Sequence, residues 1–376
     1  MPVNHQAQDQ KIEAAPIQGN AKPSLRVLHF LFVSAVRSAW RSLKNCLRLL
    51  WGRPARFDEH GLFLRQYILH ITGLRPIRNL TCTGLPSEGA GSQALMVMNA
   101  INFARSFGLT YLHTPFIKIQ HAERPMNEWA AAWETLFNLG ANELACKIDR
   151  RDVANFSYNY FDLDLCLGWR SHWDQLGDRF KDTIPEFRRK YYSNKSPRTT
   201  EELTAAVHVR RGDVSADNSA YFTGNQTILR TITQLRSILD AHNSKYNIRI
   251  YSQGVRADFA ELLLPGVELF LNADAIWTMR ELIEADILIM AQGCFSYYAA
   301  LISDGIRIFE PGILSGDDVL PGWKWRSAPL SECWIASRMD GSFDATALEN
   351  QLQLLIRAKE VDAQNTSHRL PPEALE

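Results

Sequence analysis

Five apolar runs, at 203–209, 248–252, 267–271, 286–291 and 306–309, alternate with helical periodicity near 225–242, 256–264, 275–285 and 294–304. No other feature of the chain constrains its fold so strongly. Strands separated by helix-length connections pair in parallel, because the helix carries the chain back to the same edge before the next strand begins. The pattern therefore predicts a doubly wound α/β sheet for 201–340. A helix over 344–359 follows a loop-rich stretch containing Trp323, Trp325 and Trp334, so that 341–360 is expected to be a C-terminal helix and 361–376 a disordered tail.

The first half is fainter but has the same character. Residues 80–83 are strand-like, 84–92 form a glycine-containing loop, 93–107 have helical periodicity and 109–112 suit a second strand. Over 127–139, Trp129, Trp133, Leu136 and Phe137 share one helical face, which predicts core rather than a binding platform. Strand-like residues near 145–148 and a basic helix near 179–192 complete an α/β region over 76–200, and 193–200 marks the junction. Two α/β halves facing a cleft are the simplest architecture.

Composition narrows the partners. Forty-one basic residues balance forty-one acidic ones in 376, so the charge gives no reason to expect a nucleic-acid partner. Six scattered cysteines, with no C-x-x-C, read as reduced thiols of a cytoplasmic protein. Residues 1–24 are polar and expected to be disordered, without the pattern of a signal peptide. In the extension 25–75, Arg37, Arg41, Lys44 and Arg48 fall within about 60° on a helical wheel, opposite Val36, Ala39, Leu43, Cys46, Leu47 and Leu50. Two readings stand: 25–51 lies on an anionic membrane surface, making the protein peripheral on the inner face, or it packs on its own domain with a solvated basic face.

The residues that suggest chemistry sit where strands end. His208-Val209-Arg210-Arg211-Gly212-Asp213 closes the first run of the second half. Ligands of α/β sheets bind outside the carboxyl ends of the strands, and two guanidiniums there suit a bidentate anion such as a diphosphate. The plainer reading is a surface arginine salt-bridged to Asp213. Ser252, Gln253 and Gly254 follow the second run. Gln292, Gly293, Cys294, Phe295 and Ser296 follow the fourth and open a helix, whose first N–H groups suit a phosphate.

These segments resemble the three ordered motifs of the α1,2-, α1,6- and protein O-fucosyltransferases: His208-x-Arg210-Arg211-x-Asp213, Ile250-Tyr251-Ser252-Gln253-Gly254, and the run from Ala285 to Ser296. Gly89-Ala90-Gly91-Ser92-Gln93 resembles that superfamily's N-terminal Gly-x-Gly-Asn-Gln segment. The resemblance covers about 80–309. It implies a GT-B-like fold of two Rossmann-like domains, a GDP-sugar donor held by the C-terminal half, inversion at the anomeric carbon and no metal cofactor. It assigns the β-phosphate to Arg210, the rest of the anion pocket to Arg211 and Asp213, and a place near the nucleotide to His208. Phe295 and Ser296 would close over the diphosphate, and Gly89, Gly91, Ser92, Gln93, Ser252 and Gln253 would line the donor site. The chain departs from the pattern at Ser92, Gln253 and Gly293-Cys294. Thr278 and Met279 stand where an acid would grip guanine.

An inverting transfer also needs a base for the acceptor hydroxyl. Asp217, seven residues after Arg210, is one candidate; Asp213 and His121 are others, His121 from a loop on the acceptor side. The acceptor class is a glycan or lipid-linked glycoconjugate. Two competing readings remain. Asp162-Leu163-Asp164 has the D-x-D form that holds a divalent ion on a nucleotide-sugar, and the departures from the motifs suit a binding module without catalysis.

Overall fold

The computed structural model describes residues 77–147, 153–156, 173–195, 202–217, 221–310 and 333–367, together with five helical positions at 32, 36, 39, 40 and 44. The chain is α/β and divides into two compact units, each with its own parallel sheet. One comprises Met1–Thr83, Asn99–Thr114 and Glu143–Leu176; the other comprises Gly84–Met98, Pro115–Asn142 and Gly177–Glu376. The division does not follow a single point in sequence: 84–98 and 115–142 group with the second half.

In the first unit, β1 (Asn79–Thr81) leads through α1 (Ala90–Ser106) to β2 (Thr110–His113). The second half of α1, from Asn99, belongs here. Two further strands, β3 (Leu144–Ala145) and β4 (Val153–Asn155), give the parallel order β3-β2-β1-β4. Leu80, Phe103 and Phe156 are buried, and the Phe103 ring lies 4.6 Å from that of Phe107 and 5.7 Å from that of Phe156. The sequence gives no warning of β4, because three residues are too few to display an alternation of two.

The second unit contains α2 (Met126–Phe137), most of α3 (Trp173–Tyr192), β5 (Leu203–His208), α4 (Asn225–Ala241), β6 (Tyr246–Ser252), β7 (Val267–Leu271), α5 (Ala275–Ile283), β8 (Ile287–Ile289), α6 (Cys294–Ile302), β9 (Ile306–Phe309), β10 (Trp334–Ala336) and α7 (Ala345–Ser367). Its sheet runs β10-β9-β8-β5-β6-β7, with every pairing parallel. From the central β5 the chain winds outward through β6 and β7, then returns past β5 to β8, β9 and β10. The winding direction therefore reverses between β5 and β8, which is the switch point where such sheets leave a crevice.

In β5, β8 and β9 the apolar runs are continuous because these central strands are covered on both faces. Leu203 and Ala205–Val207 of β5, Ile248 and Ile250 of β6, Ile287 of β8 and Ile308 of β9 are all buried, with Ile232, Leu235 and Leu239 of α4 and Leu348 and Leu352 of α7 in the same core. On α2, Trp129, Trp133, Leu136 and Phe137 are buried as their spacing predicts.

Several elements differ from the sequence pattern: α1 opens at Ala90, inside the expected loop, and α3 opens at Trp173 rather than near 179. Arg256–Leu262 is a 3₁₀ helix; with seven residues, the tighter turn puts Phe259 and Leu262 on one line, and both are buried. β10 lies in the stretch expected to be loop, again as a strand of three residues. α7 runs on to Ser367, seven residues past the predicted end, since 361–367 contains no proline or glycine to stop it.

Candidate functional site

The carboxyl end of β5 sets the geometry. Arg210 reaches from the β5 loop across the switch point to the β8 loop, its Nη1 donating to the Gln292 carbonyl at 3.1 Å. Its other edge grips Asp213 in a fork, Nε to Oδ1 at 3.1 Å and Nη2 to Oδ2 at 2.6 Å. The Arg210 side chain keeps 31% of its surface exposed, so it brings a fixed positive charge to a partly open position. Hydrogen bonding from Arg210 is the largest cause holding the Asp213 carboxyl below the usual carboxylate range.

Arg211 is placed differently. It donates to the carbonyls of Arg210 and Thr223 and to Asn225 Oδ1, all at 2.8–2.9 Å, and lies 4.1 Å over the Phe222 ring. Those contacts tie the loop before α4 to the end of β5. The structure therefore gives the two neighbouring arginines separate surroundings, one bridging strand ends and one anchoring a helix entry.

His208 is the last residue of β5 and is partly accessible. Its Nδ1 lies 2.5 Å from Ser296 Oγ on the first turn of α6, and its ring centre lies 5.3 Å from that of Phe295. Burial, helped by the Arg210 charge, pushes its pKa down to about 4, so the imidazole is neutral at physiological pH.

Gly293 stands at the N-cap of α6, and no side chain caps the helix. Gly293 has φ 154°, and a Cβ there would lie 2.9 Å from Arg210 Nη1; the close approach of arginine and turn requires glycine. Gly91, in the first turn of α1, has a similar constraint: a Cβ would meet the Cys294 carbonyl oxygen at 2.6 Å. The N-terminal glycine segment and the start of α6 thus abut, a juxtaposition of residues some two hundred positions apart that sequence reasoning did not specify. Beside them a pocket is lined by Met290, Gln292, Gly293, Tyr297, Phe309 and Glu310.

The remaining predicted residues have mixed placements. Ser252 Oγ donates to the Val209 carbonyl at 2.7 Å, joining the ends of β6 and β5, and Gln253 lies against Gly212. Gly89 precedes α1 in open space, and Ser92 is buried. Gln93 is buried, and its amide nitrogen donates to the carbonyls of Glu88 and Lys118, both at 2.8 Å. That bond fixes the loop carrying His121, which is exposed with φ 58° and close enough for its charge to help hold Asp213 low. Arg124 pairs with Asp274, and Glu123 accepts from the Ala275 N–H at 3.3 Å, so the same loop is tied to the start of α5. Asp217 lies exposed in the turn after Val214. Met279 is buried in α5, and Asp274 caps that helix through the Trp277 N–H at 2.8 Å.

Asp162 and Asp164 lie outside the described residues, as do Arg37, Arg41 and Arg48. Among the described residues no three His, Cys, Asp or Glu side chains form a group able to hold a metal ion, and no helix is long and apolar enough to cross a membrane.

No family model matches this chain, and no curated protein does. Among solved structures it is similar to E. coli heptosyltransferase WaaC with ADP-2-deoxy-2-fluoro heptose, at 11% identity and a TM-score of 0.36 over 75% of this chain and 99% of that one. It is also similar to POFUT1 in complex with GDP-fucose, at 14% identity and 0.34 over 62% and 97% of the two chains. A third is WaaG, a glycosyltransferase involved in lipopolysaccharide biosynthesis, at 13% identity and 0.28 over 80% and 97%. At these scores the likeness is loose, and the functional reading rests on the geometry of the site.

Proposed function

We propose that the protein is an inverting glycosyltransferase that takes a sugar, fucose in the reading favoured by its motifs, from a GDP-sugar to a hydroxyl of a glycan or lipid-linked acceptor without a metal cofactor. The observation that carries this reading is the switch point of the six-stranded sheet, where partly exposed Arg210 bridges the β5 and β8 loops beside the uncapped start of α6. A diphosphate placed there meets a fixed cation and a helix N-terminus at once. The same two groups would take up the charge that develops on the departing diphosphate. Arg210 is the donor-binding and leaving-group residue of this proposal. Asp217, Asp213 and His121 are its candidate bases.

A thermal-shift panel of GDP, UDP, ADP and CMP tests the donor class. Selective stabilisation by GDP is expected, growing with ligand concentration, and absent in Arg210→Ala. Selective stabilisation by UDP would overturn the donor assignment. Turnover of GDP-fucose that survives excess EDTA and vanishes in Arg210→Ala is the matching activity result; strict Mn²⁺ dependence would instead favour Asp162 and Asp164. A wild type that binds GDP but turns over no donor with any acceptor would leave only a binding module.

We further propose that 25–51 lies on an anionic membrane surface. Phe32, Val36 and Trp40 repeat every four residues on a helix and are more than half exposed, and Lys44 lies 5.1 Å from the Trp40 ring centre. Binding to anionic vesicles should weaken with added salt and with charge reversal at Arg37, Arg41, Lys44 and Arg48.

A further inference from the structure

Ser296 Oγ has two hydrogen-bond neighbours: the Ala291 backbone N–H at 3.1 Å and His208 Nδ1 at 2.5 Å. The side chain is completely buried, so no water serves as a third. A backbone N–H can only donate, and one lone pair of Oγ is therefore taken by Ala291. The hydroxyl proton then has one possible acceptor, His208 Nδ1. If Nδ1 carried a proton instead, the Ser296 hydroxyl would be a buried donor with nothing to receive it. The bond directions run Ala291 N–H to Ser296 Oγ, then Ser296 O–H to His208 Nδ1.

We propose that Ser296 is a positioning residue that fixes His208 as the neutral Nε2–H tautomer, making His208 a hydrogen-bond donor at the switch point rather than the base of the reaction. This rests on the nucleotide-sugar reading of the site for its ligand, an oxygen of the bound diphosphate or ribose, but the tautomer is a property of the free protein. Among the described residues Nε2 has no hydrogen-bond partner, whereas Nδ1 is committed. A lone pair engaged by Ser296 cannot take the acceptor's proton, and Nε2 already carries one. The surroundings agree. The Phe295 ring packs at 5.3 Å, Tyr251 of β6 is the register neighbour, and Arg210 adds positive charge, while Asp213, itself held by Arg210, opposes these effects only weakly. Together they keep the ring uncharged. The proton acceptor of the transfer must then lie elsewhere, which leaves Asp217, Asp213 and His121.

Long-range ¹H–¹⁵N spectra of the full chain, labelled at histidine and recorded from pH 5 to 9, read the protonation of each ring nitrogen. His208 is assigned by the signal lost in His208→Gln. The expected spectrum shows Nε2 protonated and Nδ1 bare across the range, with no titration. In Ser296→Ala the lock is gone, so a protonated Nδ1 population should emerge and the ring should begin to titrate within the range. An Nδ1–H tautomer in the wild type, or a titration midpoint near the ordinary histidine value, would overturn the proposal even if Ser296→Ala failed to fold. Adding GDP separates the two layers. A shift of the Nε2–H signal, with GDP affinity falling about ten- to a hundredfold in His208→Leu, supports the donor role. No response to GDP alongside an Nε2–H tautomer would sink the nucleotide reading and leave the tautomer assignment intact.

Discussion

The two ends of the six-stranded sheet treat charge in opposite ways. At the amino-terminal end, Asp286 accepts from the Thr204 N–H at 2.8 Å, from Thr204 Oγ1 at 3.1 Å and from Lys359 Nζ at 2.8 Å. Beside it Arg307, only 3% exposed, donates to the carbonyls of Ala300 and Gly305, lies 5.2 Å over the Trp334 ring and is pushed down to about 10 by burial. At the carboxyl-terminal end, Arg210 is likewise hydrogen-bonded, twice to Asp213 and once to the Gln292 carbonyl, but its side chain remains 31% exposed beside glycine turns and an uncapped helix. Hydrogen bonding alone does not separate these two arginines. The accessible surface left over does.

The sharpest break of this comparison is to remove each arginine in turn. Arg307→Ala leaves buried carbonyls without donors and should cost about 3 kcal/mol of stability. Arg210→Ala removes a partly exposed bridge and should cost less than about 1 kcal/mol, while abolishing stabilisation by GDP. Urea melts of both variants, with and without GDP, measure the two effects together. Equal destabilisation, with GDP binding retained, would make the carboxyl end structural as well.

Gly91→Ala tests whether the approach of α1 to α6 matters to that open end. The added methyl would sit 2.6 Å from a backbone oxygen that cannot swing aside, so a loss of about 1–3 kcal/mol is expected, together with weaker GDP binding as the start of α6 is displaced. A variant of wild-type stability and affinity would show that the two helices part without consequence.

The contrast also explains what the sequence could reveal. Strands buried on both faces write themselves as continuous apolar runs, and β5, β8 and β9 were legible for that reason, with β6 and β7 marked by their β-prone residues and even spacing. β4 and β10, of three residues each, have no room for a pattern. Arg210, His208 and Ser296 were visible as candidates because they follow such runs. Their pairwise relations were not, since the Ser296–His208 and Gly91–Cys294 contacts depend on how the sheet and helices close in space. Nor could spacing separate Arg210 from Arg211: the role of Arg211 at Thr223 and Asn225 follows from the turn at 221–225, which carries no periodicity.

A pH titration of stability sharpens the comparison further. The folded pKa of His208 is depressed to about 4 from 6.5. Above pH 6.5 both states are neutral and nothing is lost. As pH falls from 6.5 toward 4 the unfolded chain takes up a proton that the folded one refuses, so stability should drop by about 3 kcal/mol over that window. Asp213, depressed by Arg210, loses its contribution only in stronger acid, below the ordinary carboxylate range. His208→Gln should therefore flatten the curve between pH 6.5 and 4 and leave the acid limb in place. An unchanged slope would mean that His208 is not held neutral by its surroundings.

The smallest expected effect is at Ser252, whose hydroxyl joins the ends of β6 and β5 through the Val209 carbonyl. Ser252→Ala should cost about 1 kcal/mol, the worth of one partly exposed hydrogen bond. Its consequence for GDP separates two ways of building the open end. If the β5 loop is held chiefly by Arg210 between Asp213 and Gln292, affinity should stay within about twofold of wild type, since a change of 0.4 kcal/mol or less is expected at the ligand. If instead the β6 end sets the position of Arg210, the loss of Ser252 should lower affinity as much as it lowers stability, about fivefold. The first outcome is the one the geometry favours, because the bridge from Arg210 to Gln292 crosses to β8, on the opposite side of β5 from Ser252.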